Sequence, residues 1–166
     1  MSDNVYLGNP NLKKANTPIE FTQEQIYEFM RCKEDPVYFA NNYIKIVSLD
    51  EGLTQFHPYH FQEKLINNFH ENRFNICKMP RQTGKSTTVV SYLLHYAVFN
   101  ASVNIGILAN KAATARELLG RLQTAYENLP KWMQQGIIAW NKGSLELENG
   151  SKILAASTSA SAVRGM

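Results

Sequence analysis

The chain has 166 residues, of which 44% are hydrophobic, and this is enough material for one ordinary domain with a sizeable core. Its net charge of +3 is too small to indicate nucleic acid or an anionic membrane as a partner. The two cysteines and four histidines show no metal-ligand spacing. No apolar run is long enough to cross a bilayer or to form a signal-peptide core. These observations predict a soluble intracellular protein with no membrane partner.

The first third of the chain predicts short helices behind a polar arm. Residues 1–18 are polar and form either an extended lead-in or a solvated tail. Thr22, followed three residues later by glutamine, has the form of a capping box, and Asp35 before a proline has the form of a helix start. The sequence therefore predicts an arm and helical lead-in over residues 1–55, ahead of a nucleotide-binding unit over residues 56–166.

A helical pattern opens the second unit, and Phe61 and Gln62 stand at its start. An aromatic residue followed by glutamine, about twenty residues before a phosphate-binding loop, suits adenine recognition. The Gln62 amide can donate to N7 and accept from the N6 amino group, while the Phe61 ring packs on the base. Gln62 can equally be a solvent-facing residue of an ordinary amphipathic helix, and the spacing alone favours neither interpretation.

Residues 78–87 contain Gly-Lys-Ser between an apolar run and a helical pattern. Phe74 and Ile76 belong to that run, which predicts a strand, so the order is strand, tight loop and helix, the context of a phosphate-binding (Walker A) loop. Backbone N–H groups of such a loop, together with the positive end of the helix dipole, bind anions. Lys85 would contact the β- and γ-phosphates of ATP, and the Ser86 hydroxyl would ligate Mg²⁺.

The loop departs from the strict pattern at one position. Met79 stands where the pattern has its first glycine, five residues before Gly84. The residues predicted to contact the nucleotide are Phe61, Gln62, Met79, Pro80, Arg81, Gln82, Thr83, Gly84, Lys85, Ser86 and Thr87.

The remainder of the chain predicts a strand, a helix and a hairpin. Residues 103–109 are rich in β-branched side chains and predict a buried parallel strand, so the order βαβα indicates an α/β fold with a parallel sheet. Residues 145–154 alternate around Asn149-Gly150, which predicts a hairpin with a type I′ turn. Arg164 follows in a loop-like tail, where it is either solvated or a sensor of phosphate or nucleic acid.

Several segments together resemble the large terminase subunit of T-even-type tailed phages, a DNA-packaging motor ATPase. The segments are residues 6–16, 81–87, 103–111, 136–147 and 162–165. The Arg-Gln-x-Gly-Lys form of the loop, without the leading glycine, is characteristic of that family, so Met79 supports the resemblance. The resemblance implies the N-terminal portion of the family's protein: an incomplete RecA-like P-loop ATPase domain, preceded by a small helical layer, without the Walker B strand and the nuclease domain.

The resemblance also implies roles and partners. Lys85 and Arg81 would be catalytic, with Arg81 acting in cis like an arginine finger or else binding phosphate in the ground state, and Gln62 would contact adenine. The cofactors implied are ATP and Mg²⁺. The partners implied are double-stranded DNA, the portal protein, the small terminase subunit and further copies in a ring. The location implied is the host cytoplasm at the prohead portal.

The family's metal-binding strand, which ends in Asp-Glu, does not precede Met166. We therefore expect this 166-residue chain to bind ATP weakly and to hydrolyse little of it alone. Two alternatives stay open at this stage. One is a helicase-like DNA translocase, and the other is a non-catalytic truncated or regulatory fragment that binds nucleotide.

Overall fold

The computed structural model describes residues 4–48 and 50–158, which form an α/β fold. Its helices are α1 (Gln23–Glu34), α2 (Pro36–Tyr43), α3 (His60–Glu71), α4 (Lys85–Phe99) and α5 (Ala112–Glu127). Its strands are β1 (Val5–Tyr6), β2 (Asn9–Lys13), β3 (Lys45–Ser48), β4 (Gly52–Gln55), β5 (Asn104–Ala109), β6 (Ile137–Trp140), β7 (Ser144–Leu147) and β8 (Lys152–Ser157). No helix in the described part of the chain is long and apolar enough to cross a membrane.

The first two helices begin where the sequence predicts. The Thr22 hydroxyl accepts a hydrogen bond from the Gln25 N–H at 3.2 Å, and the Gln25 side chain accepts one from the Thr22 N–H at 3.0 Å. Asp35 accepts a bond from the Tyr38 N–H at 2.8 Å, with Pro36 as the first residue of α2. Both starts are confirmed because each depends on residues only three apart.

Helix α4 lies at the centre of the core. Its buried residues include Val90, Leu94 and Val98, and it packs against α2, α3 and α5. An aromatic cluster joins it to the helical layer: the ring of Phe99 lies 4.9 Å from that of Phe29 and 5.3 Å from that of Phe39. The helical lead-in therefore shares one hydrophobic core with the rest of the fold.

His95 of α4 is buried in the same cluster. One ring nitrogen, Nε2, lies 2.8 Å from the carbonyl oxygen of Cys32, and the other, Nδ1, has no partner among the described residues. Burial lowers the pKa of His95 from its ordinary 6.5 to about 4, because the charged imidazolium would lose its hydration there. His95 is therefore a neutral core residue near pH 7.

The main sheet has four strands in the order β5-β8-β7-β6. Strand β5 is parallel to β8, whereas β7 is antiparallel to both of its neighbours. The α/β class and parallel pairing are confirmed, but the described sheet is mixed. The expected burial of β5 is wrong. Asn104, Gly106 and Leu108 are exposed, because α5 packs against the strand while β8 is its one partner strand in the described residues.

The hairpin of β7 and β8 is confirmed, but its turn is not type I′. Gly150 has φ +83°, whereas Asn149 is not among the residues with positive φ, and a type I′ turn needs both. The Gly150 N–H donates to the Leu147 carbonyl at 3.0 Å, and the Leu147 N–H donates to the Ser151 carbonyl at 2.9 Å. This is the three-residue loop with a glycine bulge, and the Asn149 amide binds carbonyls at the end of α4 instead.

The strand expected before the loop is not formed. Residues 74–80 carry no regular secondary structure, and the side chains of Phe74 and Ile76 are 83% and 100% exposed. The prediction rested on apolar composition, but a strand requires a neighbour, and no described strand pairs with this segment.

Residues 4–16 of the N-terminal arm pack against the fold and are not a solvated tail. Leu12 is buried, the Lys13 N–H donates to the Gln134 side chain at 2.9 Å, and Lys14 forms a parallel bridge with Ile137 of β6. The Lys13 ammonium lies 2.9 Å from the Glu148 carboxylate. The arm therefore extends the sheet past β6 with a short parallel contact.

Glu148 is the polar centre of this contact. Burial acts to raise the pKa of Glu148, but hydrogen bonds from Lys13 and from the backbone N–H groups of Gly136 and Asn16 outweigh it. The net result is a pKa below the ordinary value, so the carboxylate is ionised near pH 7 and paired with Lys13. The predicted tail with Arg164 lies outside the described residues.

Candidate functional site

The loop before α4 ends in a left-handed turn. Gly84 is the residue before the helix and has φ +72°, and Gln82 has φ +61°. Glycine adopts such a conformation without strain, whereas glutamine rarely does. Alternation of left-handed and right-handed residues is the backbone pattern from which an anion-binding nest of N–H groups is built.

The start of α4 is open, unlike that of α1 or α2. No side chain caps it, and the first helical bond that reaches back into the loop runs from the Thr88 N–H to the Gly84 carbonyl at 3.0 Å. Among the residues that the structure describes, the backbone N–H groups of Lys85, Ser86 and Thr87 have no acceptor. Three aligned donors at the positive end of a fifteen-residue helix favour an anion.

Lys85 places its charge over the same loop. Its ammonium donates to the carbonyl of Met79 at 2.9 Å and also to that of Pro80. The Thr83 hydroxyl donates to the Pro80 carbonyl as well, at 3.0 Å. The loop is thus curled around one cation, and the predicted residues Met79, Pro80, Thr83 and Lys85 come together.

Arg81 and Gln82 are exposed at the outside of the loop. Within residues 4–48 and 50–158, the Arg81 guanidinium makes no hydrogen bond or ion pair. An exposed guanidinium on a short loop can reach an anion bound at the helix start, so the position is compatible with the role that the sequence suggested.

Gln62 has a different environment from the one expected. Its amide oxygen accepts a bond from the Tyr59 N–H at 2.8 Å, and its amide nitrogen lies 3.4 Å from the Thr83 carbonyl, to which it donates. Only 3% of the residue is exposed. These two hydrogen bonds do not test the prediction that Gln62 contacts adenine. They leave the amide one further donor site and one further acceptor site.

Phe61 lies at the surface beside Tyr59. The two rings stack at 5.8 Å between centroids with an angle of 11° between their planes, and they are 45% and 71% exposed. A stacked, half-exposed aromatic pair offers a flat apolar surface to a planar ligand.

Two cavities border the first turn of α4. A small one of about 150 Å³ is lined by Lys85, Ser86 and side chains of β5 and α5. A larger one of about 460 Å³ is lined by Thr87, Val90 and residues of β3 and α5. The second volume falls within the range of small-molecule sites. In the described part of the chain, no group of three or more histidine, cysteine or acidic residues could hold a metal ion.

Comparison with known families adds a finding on the whole C-terminal half. Residues 76–166 match a family model described as "Terminase large subunit, T4likevirus-type, N-terminal". The matched stretch is 91 of the 166 residues, which is more than half of the chain. The chain belongs to the terminase large-subunit family. Proteins of this family function in viral DNA packaging.

The family match covers one part of the candidate site and not the other. The loop from Met79 to Thr87 lies inside the matched region of this terminase, together with α4, α5 and the hairpin. Phe61 and Gln62 lie before it, as does the N-terminal arm. The resemblance to T-even-type terminases is therefore confirmed, while the role of each predicted site residue stays a prediction.

Sequence reasoning missed two contacts of this terminase. The link from Gln62 to the Thr83 carbonyl spans 21 residues, and the Lys13–Glu148 pair spans 135. The contact of Gln62 had a weak signal in the sequence. Gln62 occupies the glutamine position of a capping box at the start of α3, as Gln25 does at the start of α1. The second had none, because no local pattern relates residues that far apart.

Proposed function

We propose that this chain contributes the ATP-binding part of a packaging motor, which couples ATP hydrolysis to the movement of double-stranded DNA into a viral prohead. One observation carries the proposal. The uncapped start of α4 offers three aligned N–H groups next to the Lys85 ammonium, inside the region that matches the terminase family. Oriented donors and a cation around one point are what the phosphates of a nucleotide require.

The residues of the loop fit a nucleoside triphosphate with its magnesium ion. The backbone N–H groups of Lys85, Ser86 and Thr87 would hold phosphate oxygens, and the Lys85 ammonium would exchange its loop carbonyls for the β- and γ-phosphates. The Ser86 hydroxyl would supply one oxygen ligand to Mg²⁺, which prefers oxygen. When bound, the metal ion neutralises charge that develops on the phosphates during transfer.

Arg81 would act on the γ-phosphate. Its guanidinium is exposed on the loop and has no partner among the described residues, so it is available to an anion at the start of α4. Stabilising the transition state would make it a catalytic residue, and binding the ground state alone would make it a phosphate ligand. A change in kcat with little change in KM separates the first role from the second.

The base would lie on the side of Phe61, whose ring is stacked on Tyr59 and is partly exposed. Gln62 can reach adenine with the donor and acceptor sites that its internal bonds leave over. The full motor would further involve double-stranded DNA, the portal protein, the small terminase subunit and other copies of the large subunit in a ring. It would work in the host cytoplasm at the prohead portal.

The proposal is tested by the binding of Mg²⁺-ATP to the protein, measured by titration calorimetry. Lys85→Ala is expected to weaken binding by about tenfold to a hundredfold, because a hydrogen bond to a charged group contributes about 1.5–3 kcal/mol. Lys142→Ala is the matched control, since Lys142 is an exposed lysine of the turn between β6 and β7. Equal affinity of the wild type and of Lys85→Ala would contradict the proposal.

A second assay separates packaging from helicase-like translocation. In a packaging motor assembled with this chain, proheads and the small subunit, ATP hydrolysis is expected to depend on duplex DNA and on Lys85, and the DNA is expected to become resistant to nuclease inside the prohead. Strand separation of a duplex by the same protein would favour the helicase-like alternative.

A further inference from the structure

The Gln62 side chain joins two elements that the sequence keeps apart. Its amide oxygen accepts from the Tyr59 N–H at the start of α3, and its amide nitrogen donates to the Thr83 carbonyl in the loop. The residue is 3% exposed, so the amide is enclosed between helix and loop. A buried amide held at both ends has one orientation, because turning it over would set a donor against the Tyr59 N–H and an acceptor against the Thr83 carbonyl.

Gly84 shows how closely the amide fits the loop. A Cβ atom at Gly84 would lie 2.4 Å from the Gln62 Nε2 atom, a distance that real Cβ atoms do not reach. Gly84 also has φ +72°, which a larger residue adopts only with strain. Glycine is therefore needed at this position for its backbone angle and for the space that Gln62 occupies.

The bond to Thr83 has a consequence on the other side of the same peptide. In a trans peptide the carbonyl and the following N–H point in opposite directions, and no cis bond is present in the described chain. A Thr83 carbonyl held toward Gln62 therefore turns the Gly84 N–H away from α3. That N–H immediately precedes the three unpaired donors of Lys85, Ser86 and Thr87.

We propose that Gln62 is a positioning residue of the phosphate site. Its amide sets the Thr83–Gly84 peptide so that the Gly84 N–H joins the donors at the start of α4. The inference rests on the proposed function, in which this loop holds the phosphates of a nucleotide. This role acts on the phosphates and is separate from the adenine contact proposed for the remaining donor and acceptor sites of Gln62.

The test uses Gln62→Met, which keeps the length of the side chain and its lack of charge but removes both hydrogen bonds. Dissociation constants of the protein for inorganic tripolyphosphate, ATP and GTP, each with Mg²⁺, are measured by titration calorimetry. The expected result is that the affinities for tripolyphosphate and GTP fall by the same factor of about ten, since the Gly84 N–H is no longer aligned. The affinity for ATP is expected to fall by at least that factor, since the proposed contact of Gln62 with adenine is lost as well. Tripolyphosphate has no base, so it isolates the phosphate site.

Gln25→Met is the matched control. The Gln25 side chain accepts a hydrogen bond from the Thr22 N–H at 3.0 Å, just as Gln62 accepts one from the Tyr59 N–H. Gln25 makes no bond to the loop before α4. Both variants lose a helix-start bond, and Gln25→Met is expected to keep all three affinities. Gln62→Asn stays polar but is one methylene shorter, and it replaces Gln62→Met if that variant does not fold, with the same losses expected.

Three other results would overturn the proposal. A loss for ATP with tripolyphosphate unchanged would show base recognition instead. A lower free energy of unfolding with all three affinities unchanged would show a structural role alone. If the wild type itself does not bind tripolyphosphate, the proposed function fails and this inference fails with it. The wild-type measurement thus separates the two failures.

Discussion

Two regions at the edge of the molecule, the arm margin and the loop margin, differ in whether their polar groups have partners within the chain. The arm margin comprises residues 9–16, β6 and Glu148, and there the Lys13 and Glu148 side chains, 9% and 24% exposed, satisfy each other. The loop margin comprises residues 73–87, where α4 begins with three unpaired N–H groups and Ile76 is fully exposed. Groups satisfied inside the chain contribute to folding, and groups left without an internal partner are available to a ligand.

The starts of the helices repeat this contrast. Thr22 with Gln25 and Asp35 close the starts of α1 and α2, whereas no side chain closes that of α4 or of α5. The start of α4 differs from that of α5 in the Lys85 ammonium, which lies over the preceding loop. Apart from Gln62, whose amide bonds to Thr83, we therefore expect substitutions away from the loop margin to lower the free energy of unfolding without changing tripolyphosphate affinity. Substitutions in the loop margin should lower affinity more than stability.

Gly84→Ala is the strongest test of the loop margin. A methyl group there would meet the Gln62 amide at 2.4 Å, so either the loop or the side chain must move. Tripolyphosphate affinity is expected to fall by more than about tenfold, together with a loss of about 1–3 kcal/mol in the free energy of unfolding from backbone strain. Calorimetry and urea unfolding measure the two effects.

Gly52→Ala separates the contact at Gly84 from the strain. Gly52 has φ +69°, close to the +72° of Gly84, but nothing lies within 4 Å of its missing Cβ. This variant should show the strain without the loss of affinity. Equal tripolyphosphate affinities for wild type and Gly84→Ala would remove the distinction between the margins.

Lys13→Met is the corresponding test of the arm margin. It leaves the partly buried Glu148 carboxylate without its cation, and we expect a loss of about 2–3 kcal/mol in the free energy of unfolding. Tripolyphosphate affinity should stay the same.

Lys152→Met is the control for Lys13→Met. The Lys152–Glu146 pair has the same 2.9 Å length but is 57% and 30% exposed. Breaking it should lower the free energy of unfolding by less than about 1 kcal/mol. Similar losses for the two lysine variants would mean that burial at the arm margin does not matter.

His95 predicts a pH dependence that belongs to the core and not to the loop. Its folded pKa of about 4 lies below the ordinary 6.5, so the unfolded chain binds more protons between these values. Stability is therefore complete above pH 6.5 and declines as the pH falls toward 4, by about 3 kcal/mol at most. The ring of His70, 6.0 Å away, faces it, and the charge of His70 is one of the causes, smaller than burial, that lower the pKa of His95.

Unfolding curves between pH 7 and 5 measure this dependence above the range in which Glu148 titrates. His95→Leu should remove most of the slope, whereas His60→Asn, at an exposed position, should keep it. An unchanged slope in His95→Leu would refute the assignment.

Thr22→Ala has the smallest expected effect. It removes the hydroxyl that accepts the Gln25 N–H, which should cost about 1 kcal/mol of unfolding free energy and leave tripolyphosphate affinity unchanged. Thr114→Ala, at an exposed position inside α5, should change stability by a few tenths of a kcal/mol. A change in affinity with Thr22→Ala would show that the helical layer is coupled to the loop.

Sequence patterns succeeded where neighbours in the chain decide the outcome. The starts of α1 and α2, the helix after Gly84 and the hairpin of β7 and β8 were all expected, since caps and periodicity act over a few residues. Sequence patterns failed to predict the irregular structure of residues 74–77, the exposed face of β5 and the type of turn around Asn149. Each failure depends on a partner elsewhere: a neighbouring strand, a covering layer, or the carbonyls at the end of α4 that hold the Asn149 amide.

For the site, the sequence by itself determined the loop, its lysine and the family to which the chain belongs, because these are written in consecutive residues. Only the tertiary structure decided that Gln62 is buried against Thr83 and that Lys13 pairs with Glu148. Both contacts join residues that are far apart in the chain, and their formation depends on how the helices and strands pack. Packing of that kind is a property of the whole core, which no short pattern contains.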